Sequence, residues 1–245
     1  MARPATRLAQ TRLETAALLV GRYPVGEADL IVRFFTETSG MVGAIARNAR
    51  RSDKRFSALE PLHLLRVRID SSPVRELGTL TEAHLERPRL GLTTRLSAME
   101  AGGRALRWLR RAAPTGGAEP QLWYEINMLL DRLDHMSGMD DDAVETLLAG
   151  TGLRLLGATG WRLELEQCVR CAKPCPERSR SILDVAAGGI VCRDCGGRGE
   201  VLSAAERVAL VAAITGTVTS LDGFARRAID IVERALDVHG RGEAT

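Results

Sequence analysis

Two periodicities divide the chain. Up to about residue 88 the apolar positions fall in short blocks or alternate with polar ones, and beyond it they recur at three- and four-residue spacing. In the first part, residues 13–20 form an apolar run. Residues 30–36 set Leu30, Val32 and Phe34 against Ile31, Arg33 and Phe35, and residues 41–46 are short and apolar. Residues 59–69 alternate more cleanly, with Leu65, Val67 and Ile69 on one face and Arg66 and Arg68 on the other; a fifth strand is predicted over about residues 74–82. Tyr23-Pro24-Val25-Gly26 and Glu37-Thr38-Ser39-Gly40 supply turns. Five short strands with one long connection between the third and fourth predict a small closed barrel rather than a sandwich.

From Gly91 the spacing becomes helical. Leu92, Leu96, Met99, Gly103, Leu106 and Leu109 make one stripe, and Arg104, Arg107 and Arg111 form a basic ridge on another face. Such a ridge binds an acidic partner or is simply a solvated face. Pro114 and Gly116-Gly117 end this helix, and a second is predicted over residues 119–136. A third opens at Asp140-Asp141-Asp142, whose carboxylates suit the positive end of a helix dipole, and runs to Gly160. Ser203 and Glu206 form a capping box that starts a helix to about residue 214, and a last helix covers residues 221–238. The predicted fold class is α+β. A five-stranded oligonucleotide-binding (OB) barrel occupies residues 1–88 and an all-helical domain residues 89–245, with a cysteine-rich segment inserted at about 164–200.

Net charge is only +3, but residues 1–90 carry +5, residues 91–112 carry +4 and residues 113–160 carry −6, so a basic block precedes an acidic one. The most basic stretch is the long connection of the predicted barrel: Arg47, Arg50, Arg51, Lys54 and Arg55, followed by Phe56. Cations for phosphates beside a ring for a base are what a single-strand site uses, and Arg66 and Arg68 on the next strand could extend the patch. A solvated loop is the alternative. No apolar stretch is long enough to span a membrane and the first residues lack an apolar leader, which predicts a cytoplasmic protein with no membrane partner.

All five cysteines fall between residues 168 and 195: Cys168-Val-Arg-Cys171, Cys175, and Cys192-Arg-Asp-Cys195, with 20 residues between Cys171 and Cys192. Two CxxC pairs at this separation predict one structural Zn2+ held by Cys168, Cys171, Cys192 and Cys195, with Cys175 the spare that could substitute in the first pair. Disulfides and a redox CxxC are the competing readings. No phosphate-binding glycine loop, HExxH or GxSxG is present, and His63, His84, His135 and His239 are scattered, so no catalytic residue is expected.

Taken in order, Gly26-Glu27-Ala28-Asp29, Phe35-Thr36 through Gly40, Ala46-Arg47-Asn48-Ala49-Arg50-Arg51-Ser52, Leu59-Glu60-Pro61, Leu80-Thr81-Glu82-Ala83, Gly160-Trp161 and Gly188-Gly189-Ile190-Val191-Cys192 resemble the bacterial RecO family over nearly the whole chain. Asn48 stands where that family often has Gly, and Leu163 where a Pro often precedes the first Cys. The resemblance implies a non-enzymatic, nucleoid-associated mediator of DNA repair and recombination. Such a protein binds single- and double-stranded DNA without sequence preference, anneals complementary strands, works with RecR, and helps to load RecA onto DNA coated by single-strand binding protein. It implies DNA contacts at Arg47, Arg50, Arg51, Lys54, Arg55 and Phe56, and a site for the acidic C-terminal tail of single-strand binding protein on the helical domain, assigned here to Arg104, Arg107 and Arg111. A zinc-thiolate redox enzyme, or another zinc-ribbon regulator that binds nucleic acid, is the alternative.

Overall fold

The structure, a computed structural model, describes residues 11–51, 56–71, 76–136, 140–216, 220–221 and 223–240. Two compact units make up the chain, residues 1–89 with 114–123 and residues 90–113 with 124–245.

The first unit is built on β1 (Thr11–Val25), β2 (Asp29–Thr36), β3 (Gly40–Ala46), β4 (Leu64–Ser71) and β5 (Gly78–Arg87). They close into a barrel in the order β1-β2-β3-β5-β4, with β4 returning to β1; β3 and β5 run parallel and the other pairs antiparallel. A five-stranded barrel with this crossover is of OB type. Strand alternation places the core: Leu65, Val67 and Ile69 join Ala17, Leu19, Val32, Phe34 and Leu80 in one buried cluster, while Arg66 points outward. The loose alternation of β2 has a cause. Phe34 faces the barrel interior, yet its neighbour Phe35 is equally buried, because residues 114–123 cover that outer face. Thr115 bridges to Gly40 and Met41, and the Trp123 ring lies 5.9 Å from that of Phe35. Gly40 is required here, since its φ is +62° and a Cβ would meet the Gly117 carbonyl oxygen.

Strand ends differ from expectation for identifiable reasons. β1 bulges between Leu19 and Gly21 and continues until Val25 pairs with Asp29. Beyond Ala17 it pairs with β2 alone, so Pro24 and its missing N–H are tolerated. Leu59 and Leu62 are buried but lie in the loop before β4, where Pro61 keeps the ladder from starting. The fifth strand begins at Gly78, after the expected start at 74; residues 72–75 lie outside the described residues.

The helices are α1 (Leu90–Thr93), α2 (Leu96–Ala112), α3 (Pro120–His135), α4 (Asp141–Ala158), α5 (Ala204–Thr215) and α6 (Ala225–His239). α4 is buried along most of its length and packs against α2, α5 and α6. The apolar stripe of α2 is rotated from the expected one. Leu96 and Met99 are exposed, while Leu92, Leu106 and Leu109 of the expected stripe are buried; the rest of the buried face of α2 consists of Ala98, Ala101, Gly102, Ala105, Trp108 and Ala112. Small residues allow close approach of helices, a signal that side-chain size alone does not give. The caps follow the sequence: Asp140 accepts from the Ala143 N–H at 2.8 Å, and Ser203 and Glu206 form a complete capping box.

Between α4 and α5 the cysteine segment folds as a three-stranded sheet of β6 (Ser181–Asp184), β7 (Gly189–Ile190) and β8 (Glu200–Leu202), in the order β7-β6-β8. Arg207 of α5 is buried and donates to the carbonyls of Leu165 (3.0 Å) and Pro176 (2.7 Å), which ties the helix to this segment. Among the described residues no helix is long and apolar enough to cross a membrane.

Candidate metal centre and nucleic-acid surface

Each CxxC forms a tight turn. In the first, the Cys168 N–H donates to the Lys173 carbonyl (3.0 Å) and the Ala172 N–H to the Cys168 carbonyl (2.9 Å), with Ala172 in the left-handed region at φ +55°. In the second, the N–H groups of Cys195 and Gly197 both donate to the Cys192 carbonyl at 3.2 Å, and Gly196 turns the chain at φ +72°. The two turns bring the Sγ atoms of Cys168, Cys171, Cys192 and Cys195 within 4.8 Å of one another, with Cys171 and Cys192 3.8 Å apart. A tetrahedron with metal–sulfur bonds of about 2.3 Å has edges of about 3.8 Å. The four sulfurs therefore could hold one metal ion. Cys175 stands outside the group, its sulfur 3.9 Å from the Pro176 carbonyl oxygen.

The thiols differ in character. The Cys192 N–H donates to Cys168 Sγ at 3.3 Å; against the opposing effect of desolvation, this bond and those from the Arg170 and Cys171 N–H groups lower the Cys168 pKa to about 6. Sulfur–sulfur hydrogen bonds that the Cys195 thiol donates to Cys192 and Cys171, then desolvation, push Cys195 up to about 12. A bound cation reverses the second effect, because coordination deprotonates a thiol outright.

On the barrel, the connection after β3 is shaped by the turn before β2. Asn48 sits at φ +57° and its N–H donates to Asp29 Oδ1 at 2.8 Å. Arg50 reaches the carbonyls of Gly26 (3.3 Å) and Glu27 (3.4 Å), and Arg51 pairs with Glu27 at 2.8 Å, both side chains being largely exposed. Arg47 is exposed and has no hydrogen bond or ion pair with another described residue. The structure thus brings Arg47, Arg50 and Arg51 to one surface loop, while Lys54 and Arg55 lie outside the described residues. Sequence reasoning did not single out Asp29 and Glu27 as shaping this loop; the available signal was two acids in the β1–β2 turn against a run of arginines.

Three assignments need correction. Phe56 is 5 % exposed and belongs to the barrel's core cluster, so its ring is closed to a base. Arg68 lies opposite Glu14 on β1 and Glu82 on β5 and pairs with both; hydrogen bonding to Glu14 and the charge of Glu82 raise its pKa. Arg66 pairs with Glu86 at 2.9 Å, so this sheet face is a balanced charge ladder rather than a cationic extension of the loop. On α2, Arg104 pairs with Glu233 (3.5 Å) and Arg111 with Asp237, both of α6. Of that ridge, Arg107 alone is exposed and without a partner among the described residues.

Comparison with known proteins agrees with this architecture. The family description "Recombination protein O N terminal" matches residues 11–89, and "Recombination protein O C terminal" matches residues 95–242. The chain is 30% identical over 211 residues to a DNA repair protein RecO of Syntrophotalea carbinolica, covering 85% of this chain and 80% of that one. It is 32% identical over 203 residues to a DNA repair protein RecO of Geobacter sulfurreducens, covering 82% and 79%. With an OB-type barrel first in the chain, a helical region carrying four clustered cysteines after it, and both RecO domains matched in order, this chain belongs to the RecO family of DNA repair proteins.

Proposed function

We propose that the chain is a recombination mediator that binds single- and double-stranded DNA without reading sequence, anneals complementary strands, and helps to load RecA onto DNA coated by single-strand binding protein. It acts in the cytoplasm, at the nucleoid, together with RecR. The observation that carries this reading is the β3–β4 connection of the barrel, where Arg47 is exposed and unpartnered among the described residues and Arg50 and Arg51 are held only by exposed contacts. An exposed ion pair such as Arg51–Glu27 contributes roughly 0–1 kcal/mol, so a phosphate can displace the carboxylate. Arg47, Arg50 and Arg51, with Lys54 and Arg55 next in sequence, neutralise backbone phosphates. Base edges then stay free to pair, which is what annealing requires and what base readout would prevent. No bond-making step enters, so no catalytic group is invoked.

Zn2+ is the ion that the four thiolates suit, and a closed shell of this kind leaves no position for water, so its role is to cross-link the two turns. The acidic C-terminal tail of single-strand binding protein is the ligand we assign to the helical domain, with Arg107 the member of the α2 ridge left open to it. Fluorescence titration of the zinc-loaded protein with two unrelated oligonucleotides, followed by annealing of complementary strands coated with single-strand binding protein, tests the proposal. Equal affinities and accelerated annealing are expected; strong preference for one sequence, or no acceleration, would refute it.

A further inference from the structure

Beside the four cysteines lies a groove of about 420 Å³ that the proposed function leaves unused. Its apolar lining includes Ile182, Val191 and Val201, and Arg180 and Arg193 line it as well. Both arginines are exposed, and neither side chain makes a hydrogen bond or ion pair with another described residue. Arg178 and Arg198, in the same segment, are exposed and unpartnered in the same sense. The barrel differs: Arg12, Arg22, Arg51, Arg66 and Arg68 each face a carboxylate.

We infer that this groove is a second contact for single-stranded nucleic acid, in which an unstacked base rests on Ile182 and Val201 and the flanking phosphates meet Arg180 and Arg193. The inference rests on the DNA-mediator reading and deepens it, because a protein that anneals must hold strand at more than one place. Several free guanidinium groups along one segment match a polymer that repeats its charge at every nucleotide; an acidic peptide would satisfy one or two and leave the others bare. Guanidinium planes also stack on bases, and a floor of aliphatic side chains accepts any of the four.

The test is salt-dependent binding of an oligothymidine by the full-length, zinc-loaded protein, comparing wild type with Arg180→Ala/Arg193→Ala. Each phosphate contact contributes about −0.7 to the slope of log affinity against log salt for single strands, so the double variant is expected to have a slope shallower by about 1.4 and affinity lower on the order of 10-fold at moderate salt. Arg180→Lys/Arg193→Lys, which keeps the charge, should restore most of the slope, separating a lost contact from a damaged fold. Zinc content and thermal unfolding of each variant are checked alongside; if the double variant fails to hold zinc, Arg180→Ala alone, outside both CxxC turns, should remove about half the effect. Wild-type slope and affinity in the double variant would overturn the inference while leaving the functional reading standing. Loss of binding to a glutamate-rich peptide with DNA binding intact would overturn it equally, by making the groove a peptide site. No oligonucleotide binding by the wild type would bring down the functional reading and the inference together.

Discussion

Trp108 and Gly152 show how one residue fixes the identity of another. A Cβ at position 152 would stand 2.6 Å from the Trp108 ring and 2.9 Å from a Val232 methyl, so the glycine is the space that the indole occupies. Gly152→Val should destabilise the helical unit by about 1–3 kcal/mol in urea unfolding, through overpacking; unchanged stability would show that the helices part more readily than this packing allows. Phe56 gives the converse lesson. An aromatic that follows five cations reads as a stacking ring, but two and three positions further along the same loop lie Ala58 and Leu59, and all three pack with the barrel core. Burial won over the local signal. Phe56→Ala should therefore cost about 3–5 kcal/mol of barrel stability, and a loss of DNA affinity without loss of stability would contradict that placement. Arg66 and Arg68 were misread for a related reason: Glu86 becomes a neighbour of Arg66, and Glu14 and Glu82 of Arg68, only when strands pair, and linear sequence does not display that register.

Among elements, those with strong local punctuation were legible. The capping box of α5, the Asp140 cap of α4, the alternation of β4 and the two CxxC turns each carry their instructions within a few residues. The buried face of α2 was legible only at Leu106 and Leu109, because four alanines and Gly102 mark most of the rest by small size rather than by apolar bulk. The α5 box also titrates. Burial pushes the Glu206 carboxyl up, but the Ser203 N–H and hydroxyl and the Arg227 guanidinium outweigh it and hold the pKa below the ordinary value. Its folded value being depressed, its contribution to stability is present above the unfolded value of about 4.3 and is lost as pH falls through the folded value. Glu206→Gln should thus be less stable than wild type at neutral pH, with the gap closing in acid; a gap that stayed constant through the acid range would contradict this. The cysteine segment supplies a second test at this scale. On the proposal that the four thiolates hold Zn2+ and cross-link its short strands, chelation should speed amide hydrogen exchange in residues 164–202 while β1 to β5 keep their protection. Unaltered exchange in that segment after chelation would deny the metal a structural role.

For the whole molecule, the order of motifs carried the family, since each alone is short and their sequence along the chain is not. Charge counting carried less. The excess of positive charge in residues 1–90 is real, but among the described residues much of it is neutralised across strands, while Arg47 of the β3–β4 connection is exposed without an ion pair. The central claim is that this loop, and not the sheet face beside it, grips phosphates. Its most direct test is the salt dependence of single-stranded DNA affinity for wild type, Arg47→Ala/Arg50→Ala/Arg51→Ala and Arg66→Ala/Arg68→Ala. The loop variant should have a slope shallower by about 2 and the sheet variant a slope equal to that of wild type; an unchanged slope in the loop variant would contradict the account.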